Sequence, residues 1–138
     1  MVLGQTTLVK AERFFQGSEF LPVHQAFKTN IDVDNEEIQV SWRIEPGYYL
    51  YDDSLEVELI GESENIVFQE PVVSSSGEII EDEFKGSVRI YRYSVTKHYP
   101  FAQKQPGEIT VRAIFQGCAE AGLCYPKSEV IKAIYIPQ

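Results

Sequence analysis

The sequence predicts an all-β fold, and three observations carry that expectation. Apolar residues recur with a period of two along most of the chain, the repeat that sends alternate side chains to opposite faces of a strand. Turn-forming residues punctuate these stretches at Asp34-Asn35, Pro46-Gly47, Gly61, Ser74–Gly77 and Pro106-Gly107. No segment carries a capped 3.6-residue period, although a single turn of helix is expected around Val9–Phe14.

Taken in chain order, Phe27–Val33 is a weaker candidate strand. Ile38, Val40, Trp42 and Ile44 then alternate with Gln39, Ser41 and Arg43, giving one face to a core and one to water. Behind Gly47, the run Tyr48–Tyr51 puts Tyr49 and Tyr51 on one strand face and Tyr48 on the other. Leu55, Val57 and Leu59 alternate with Glu56 and Glu58. Ile66–Phe68 and Val88–Val95 are weaker candidates. Ile109, Val111, Ala113 and Phe115 alternate with Thr110, Arg112 and Ile114, the last breaking the pattern, and Val130–Ile136 completes the set. Seven or more short strands at this spacing predict an antiparallel β-sandwich of immunoglobulin-like type. With no internal repeat, low-complexity stretch or linker, the chain reads as one domain.

Its 138 residues suffice to bury a sizeable core without a disulfide. The formal net charge of −9 argues against nucleic acid, since little here would neutralise a phosphate backbone. The same acidity favours solubility and would suit a basic partner. No uncharged apolar run reaches the length of a membrane span. The opening MVLGQTTLVKAERFF lacks the apolar core of an intact signal peptide.

The only two cysteines, Cys118 and Cys124, lie in GCAEAGLCYP. Six extended steps span about 20 Å, whereas bridged cysteines hold their Cα atoms about 4.4–6.8 Å apart. A bond therefore requires Ala119–Leu123 to fold back, which its small residues and Gly122 permit. As a staple the bond would stabilise weakly, by about 2–3 kcal/mol against about 4.7 for a 100-residue loop. Spacing alone leaves three readings open: a structural disulfide, a redox-active pair, or free or metal-binding thiols. Adding His24 and His98 supplies four ligands without a common zinc spacing, so no metal is expected. Nothing in the order of residues suggests a serine hydrolase.

Two further stretches carry information. GYYLY (47–51) concentrates aromatic rings, and EDEFKG (81–86) sets Phe84 among charges. An apolar ring on a polar loop either anchors that loop or acts as a lid.

Together, FLPVHQAF (20–27), GYYLY (47–51), EDEFKGSVRIYR (81–92) and FQGCAEAGLCYP (115–126) resemble the N-terminal periplasmic domain of the bacterial thiol:disulfide interchange protein DsbD. The resemblance runs from Phe20 onward. It implies an immunoglobulin-like exchange domain over 20–138, behind an N-terminal extension of residues 1–19. It implies that Cys118 and Cys124 form a reversible catalytic disulfide, with Cys124 making the mixed disulfide and Cys118 resolving it. By the same resemblance Asp82, Glu83, Phe84, Lys85 and Gly86 form a cap loop with Phe84 as the shielding ring. Tyr49, Tyr51, Glu120 and Tyr125 are expected to line the site. Lys85 stands where relatives carry an aromatic residue, Asp52 where a basic one is frequent, and Lys127 where a second proline commonly follows Tyr-Pro.

The implied activity is that of a protein-disulfide reductase, one periplasmic domain of a bacterial inner-membrane protein. Electrons would enter from a C-terminal thioredoxin-like domain of the same protein and leave to oxidised thioredoxin-fold proteins, including disulfide isomerases and those of cytochrome c maturation. No cofactor is implied in this domain, and membrane association would come only through a separate transmembrane domain. Acidic Asp82, Glu83 or Glu120 near the sulfurs would disfavour a thiolate and leave a poorly reactive dithiol. The rival from another class is an immunoglobulin-like binding module with an inert hairpin disulfide.

Overall fold

The computed structural model describes residues 20–138. The helical turn expected around Val9–Phe14 lies outside them. The described chain is built of antiparallel strands: β1 (Phe27–Val33), β2 (Glu37–Ile44), β3 (Tyr48–Tyr51), β4 (Glu56–Ile60), β5 (Val67–Phe68), β6 (Val72–Val73), β7 (Glu78–Asp82), β8 (Gly86–Tyr91), β9 (Ser94–Gln103), β10 (Gly107–Phe115), β11 (Gly117–Ala119) and β12 (Ser128–Ile136). One helical turn, α1 (Val23–Ala26), precedes β1, and a 3-10 turn covers Asp52–Ser54.

One sheet runs β1-β2-β9-β5, with β6 also paired to β9, and a second runs β12-β10-β4. The alternation in β2 sends Ile38, Val40, Trp42 and Ile44 inward, and that in β10 does the same for Ile109, Val111, Ala113 and Phe115. Trp42 meets Phe115 with ring centroids 6.3 Å apart, and Phe27 meets Phe115 at 5.9 Å, so the two inner faces interlock through aromatic rings. Burying one such side chain is worth roughly 1.5–3 kcal/mol. This is the immunoglobulin-like sandwich expected from the sequence.

A third sheet, β11-β3-β8-β7, sits where β10 passes through the single residue Gln116 into β11. Its strand β3 is buried on both faces. Tyr48 and Leu50 join the main core, while Tyr49 and Tyr51 join a smaller cluster with Ile90 and Cys118. Register explains the division. Cys118 lies opposite Tyr49, and Ile90 opposite Tyr51, so all four share one face of this sheet.

The strand expected over Val88–Val95 is divided in the structure. Chain pairing breaks at Arg92-Tyr93, and Tyr93 takes a φ of 70°, unusual for a residue with a side chain. At this kink the chain leaves the site-bearing sheet and enters the large one, with the Tyr93 carbonyl accepting from the Ile44 N–H at 2.8 Å. Two strands, not one, are the consequence. Strand β7 turns Ile80 and the carboxylate of Asp82 inward against the small cluster, and leaves its other isoleucine, Ile79, exposed.

Candidate functional site

The two cysteines are bonded to each other, with Cα atoms 4.0 Å apart. The intervening segment folds back, as a bond between the two cysteines requires. The Ala119 N–H donates to the Leu123 carbonyl at 2.6 Å, and the Gly122 N–H donates to the Ala119 carbonyl at 3.0 Å. Gly122 sits at φ 117°, a conformation that a side chain resists. At the root of the hairpin, a Cβ on Gly117 would stand 2.3 Å from the Tyr49 carbonyl oxygen and 2.7 Å from Phe27 Cζ. Only glycine lets β11 close onto β3 at this point.

The two sulfurs are unequal. Cys118 is 1% exposed, whereas Cys124 is partly exposed. Cys124 lies on a shallow cleft bordered by Tyr49, Asp82, Phe84, Ala119 and Glu120. The cleft is lined on one side by residues 80–84, the end of β7 and the start of the turn after it, and on the other by the disulfide hairpin.

Asp82 organises the turn. Its Oδ1 accepts from the Tyr49 hydroxyl at 2.7 Å and from the Tyr51 hydroxyl at 2.9 Å. Its Oδ2 accepts from the Phe84 and Lys85 N–H groups, each at 2.9 Å. Burial pushes the Asp82 carboxyl up, but the hydrogen bonds from Tyr49, the Phe84 N–H, Tyr51 and the Lys85 N–H outweigh it and leave it below the usual carboxylate range. Burial, and then the bond to Asp82, push the Tyr51 hydroxyl up to about 12; Tyr49 is pushed higher still, by burial first. These groups hold a fixed ionisation state at neutral pH: an anionic carboxylate and two neutral phenols.

The neutral Tyr51 hydroxyl stands between the Asp82 carboxylate and the disulfide. Its oxygen lies 3.0 Å from Cys118 Sγ and 3.8 Å from Cys124 Sγ. Lys85 reaches across the same ring, with Nζ 4.2 Å from the Tyr51 centroid and 2.7 Å from Asp53 Oδ1. A cation–π contact thus occupies the place for which the resemblance suggested an aromatic residue. Asp52 accepts a hydrogen bond from the Tyr91 hydroxyl at 2.6 Å, and Lys127 is exposed.

The remaining expected residues separate. Phe84 borders the Cys124 cleft but is 64% exposed. Glu83 and Gly86 are exposed on the turn. Glu120 borders the cleft and is ion-paired with Arg92. Tyr125 turns toward the main core: its ring meets Phe27 at 5.7 Å, and its hydroxyl donates to the Leu21 carbonyl at 2.5 Å. Although Tyr125 follows Cys124 directly, its ring packs on Phe27 and Tyr48 at the main core. Sequence reasoning missed Arg92, whose partners are distant in the chain. His24 packs edge-on against Phe115, and His98 pairs with Glu37 at 3.1 Å.

Comparison with known proteins agrees with this architecture. The family described as "Thiol:disulfide interchange protein DsbD, N-terminal" matches residues 17–134. The chain is 38% identical over 109 residues to the thiol:disulfide interchange protein DsbD of Cronobacter sakazakii, covering 79% of this chain and 18% of that protein. It is 35% identical over 126 residues to the DsbD of Pasteurella multocida, covering 91% of this chain and 21% of the other. The chain therefore spans about a fifth of the length of these relatives. Among solved structures, the reduced N-terminal domain of Neisseria meningitidis DsbD superposes with a TM-score of 0.78 at 28% identity, covering 88% of this chain and 94% of that one. The complex of the DsbD and PilB N-terminal domains from the same organism gives a TM-score of 0.71 at 29% identity, covering 84% and 88%. A cysteine hairpin on the end of an immunoglobulin-like sandwich, matched over most of its length, places this chain in the DsbD N-terminal domain family.

Proposed function

We propose that residues 20–138 work as a periplasmic thiol–disulfide interchange unit, the protein-disulfide reductase domain of a larger inner-membrane protein. It accepts electrons from a thioredoxin-like domain of the same protein and passes them through Cys118 and Cys124 to oxidised thioredoxin-fold proteins. Disulfide isomerases and the thioredoxin-like proteins of cytochrome c maturation are the acceptors we infer. The observation that carries this reading is the asymmetry of the pair. A partner can approach the partly exposed Cys124, while Cys118 is buried behind it. The relative whose N-terminal domain forms a complex with the PilB N-terminal domain supports docking of a partner protein.

The chemistry follows from that asymmetry. A donor thiolate attacks Cys124 Sγ, the Cys118–Cys124 bond breaks, and Cys118 leaves as a thiolate that takes up a proton. The donor's second thiol then attacks the mixed disulfide, loses its proton and displaces Cys124. The donor ends as a disulfide and this domain as a dithiol, two electrons having moved. Toward an oxidised acceptor the order reverses: Cys124 attacks, and Cys118 displaces the reduced partner. The hairpin holds Cys118 close, so the mixed disulfide resolves quickly. The cysteines supply all the redox chemistry of this exchange, with no further cofactor in the domain. The turn carrying Phe84 serves as the cap, admitting partners that displace it and slowing small oxidants.

Trapping tests this directly. Cys118→Ser removes the resolving thiol, so Cys124 should accumulate a mixed disulfide with an oxidised thioredoxin-fold protein, and Cys124→Ser should not. Failure to trap any such protein overturns the reading. An inert staple would also show a reduction potential below about −300 mV and would not cycle.

A further inference from the structure

Arg92 occupies a position that the exchange chemistry above does not use. It lies at the kink between β8 and β9, far in sequence from the cysteines, yet its guanidinium joins two separate parts of the site. Nε pairs with Glu78 Oε1 at 3.0 Å, on the first residue of β7. Nη1 pairs with Glu120, inside the disulfide hairpin. The guanidinium carbon stands 5.7 Å from the centroid of Tyr49, the residue opposite Cys118 in the sheet. The Glu120 N–H is held as well, donating to the Gly47 carbonyl at 2.8 Å. Hairpin residue Glu120 is therefore fixed through both backbone and side chain, and Arg92 is the side-chain anchor.

We propose that Arg92 is a positioning residue that sets the redox equilibrium of the cysteine pair by clamping Glu120 to Glu78. The inference rests on the exchange reading. When the bond between the sulfurs is broken, the segment Ala119–Leu123 is free to open. A clamp on Glu120 restricts the dithiol to conformations close to the bonded one, so each thiol meets the other at higher effective concentration. Forming the bond then costs less ordering. By linkage, the disulfide tightens the clamp by the same factor.

Arginine suits the role because its planar fork engages two carboxylates at once while its face rests on an aromatic ring. The pairs are partly exposed, at 27% for Arg92, 46% for Glu120 and 52% for Glu78. Their effect is accordingly modest: about threefold in the equilibrium constant, in keeping with measured exposed pairs.

The test is the equilibrium of the purified domain with glutathione redox buffers, read by alkylation of free thiols. Arg92→Gln and Glu120→Gln change the net charge in opposite directions but both open the clamp. Each should make the disulfide about threefold easier to reduce, which is about 14 mV toward a less negative potential at 29.6 mV per tenfold change. The double variant should shift no further than Arg92→Gln alone, and added salt should shrink the difference from the parent. Glu120 is exposed, so its variant keeps the measurement interpretable if Arg92→Gln destabilises the fold. Unchanged constants in both single variants overturn the clamp. So do shifts of opposite sign, which would reveal a pure charge effect. A parent disulfide that never equilibrates with glutathione instead overturns the exchange reading on which the clamp depends.

Discussion

The Tyr51 hydroxyl stands 3.0 Å from Cys118 Sγ while its hydrogen is directed to Asp82, 2.9 Å away. A hydroxyl has one hydrogen, so what it offers the sulfur is a lone pair. In the reduced state that lone pair can accept an S–H but repels a thiolate. Asp82 adds its own negative charge behind it. The reduced pair should therefore titrate above the ordinary cysteine value of about 8.5, and Asp82→Asn should bring it down. The pH dependence of iodoacetamide alkylation measures both. A thiol titrating well below that value in the parent domain would sink this account.

Asp82 also ties stability to acid. Its native carboxyl titrates below the ordinary value of 3.8, so in the unfolded chain it binds a proton at higher pH than in the folded one. Its contribution is present in full above that ordinary value and fades as pH falls through the lowered native one. Asp82→Asn should cost about 1–3 kcal/mol at neutral pH, the usual penalty for breaking a buried polar network. The gap between variant and parent should narrow below about pH 4. Thermal melts from pH 2 to 7 check the sign; a gap that widens in acid would contradict it.

Phe84→Ala separates a cap from a surface ring. With the ring 64% exposed, truncation should change stability by no more than about 0.5 kcal/mol. If the ring shields Cys124, reduction by a small phosphine should speed up several-fold. Equal rates in stopped-flow measurements would reduce Phe84 to a solvent-facing residue.

Gly117→Ala tests the root of the hairpin. The new methyl would meet a backbone carbonyl, which cannot turn aside as a flexible side chain can. Overpacking of this kind costs about 1–3 kcal/mol. Urea unfolding should show the loss in both the oxidised and the reduced protein, because the contact is with Tyr49 and Phe27, not with the disulfide. A loss confined to the oxidised form would assign the glycine to strain in the bond.

Much of the fold was legible because the strands of the main sandwich are half-buried, and half-burial writes a period of two into the residues. Strand β2 and strand β10 could be read almost residue by residue. Where burial departs from one face, the reading weakened. Strand β3 is buried on both sides, β7 buries an aspartate and exposes an isoleucine, and the kink at Arg92-Tyr93 uses a left-handed residue without the glycine that would have announced it.

By itself, the sequence determined the all-β class, the need for a reversal if the two cysteines are bonded, and the separation of Tyr48 from Tyr49 and Tyr51. Each follows from local geometry: strand periodicity, or the reach of a short chain. Tertiary structure decided which sulfur is buried, that Asp82 gathers two tyrosines 33 and 31 residues away, and that Tyr125 faces the core. It also decided that Arg92 ties Glu120 to Glu78, 28 and 14 residues away. A period of two fixes which side of a strand a residue occupies; only the packing of sheets fixes what stands opposite it.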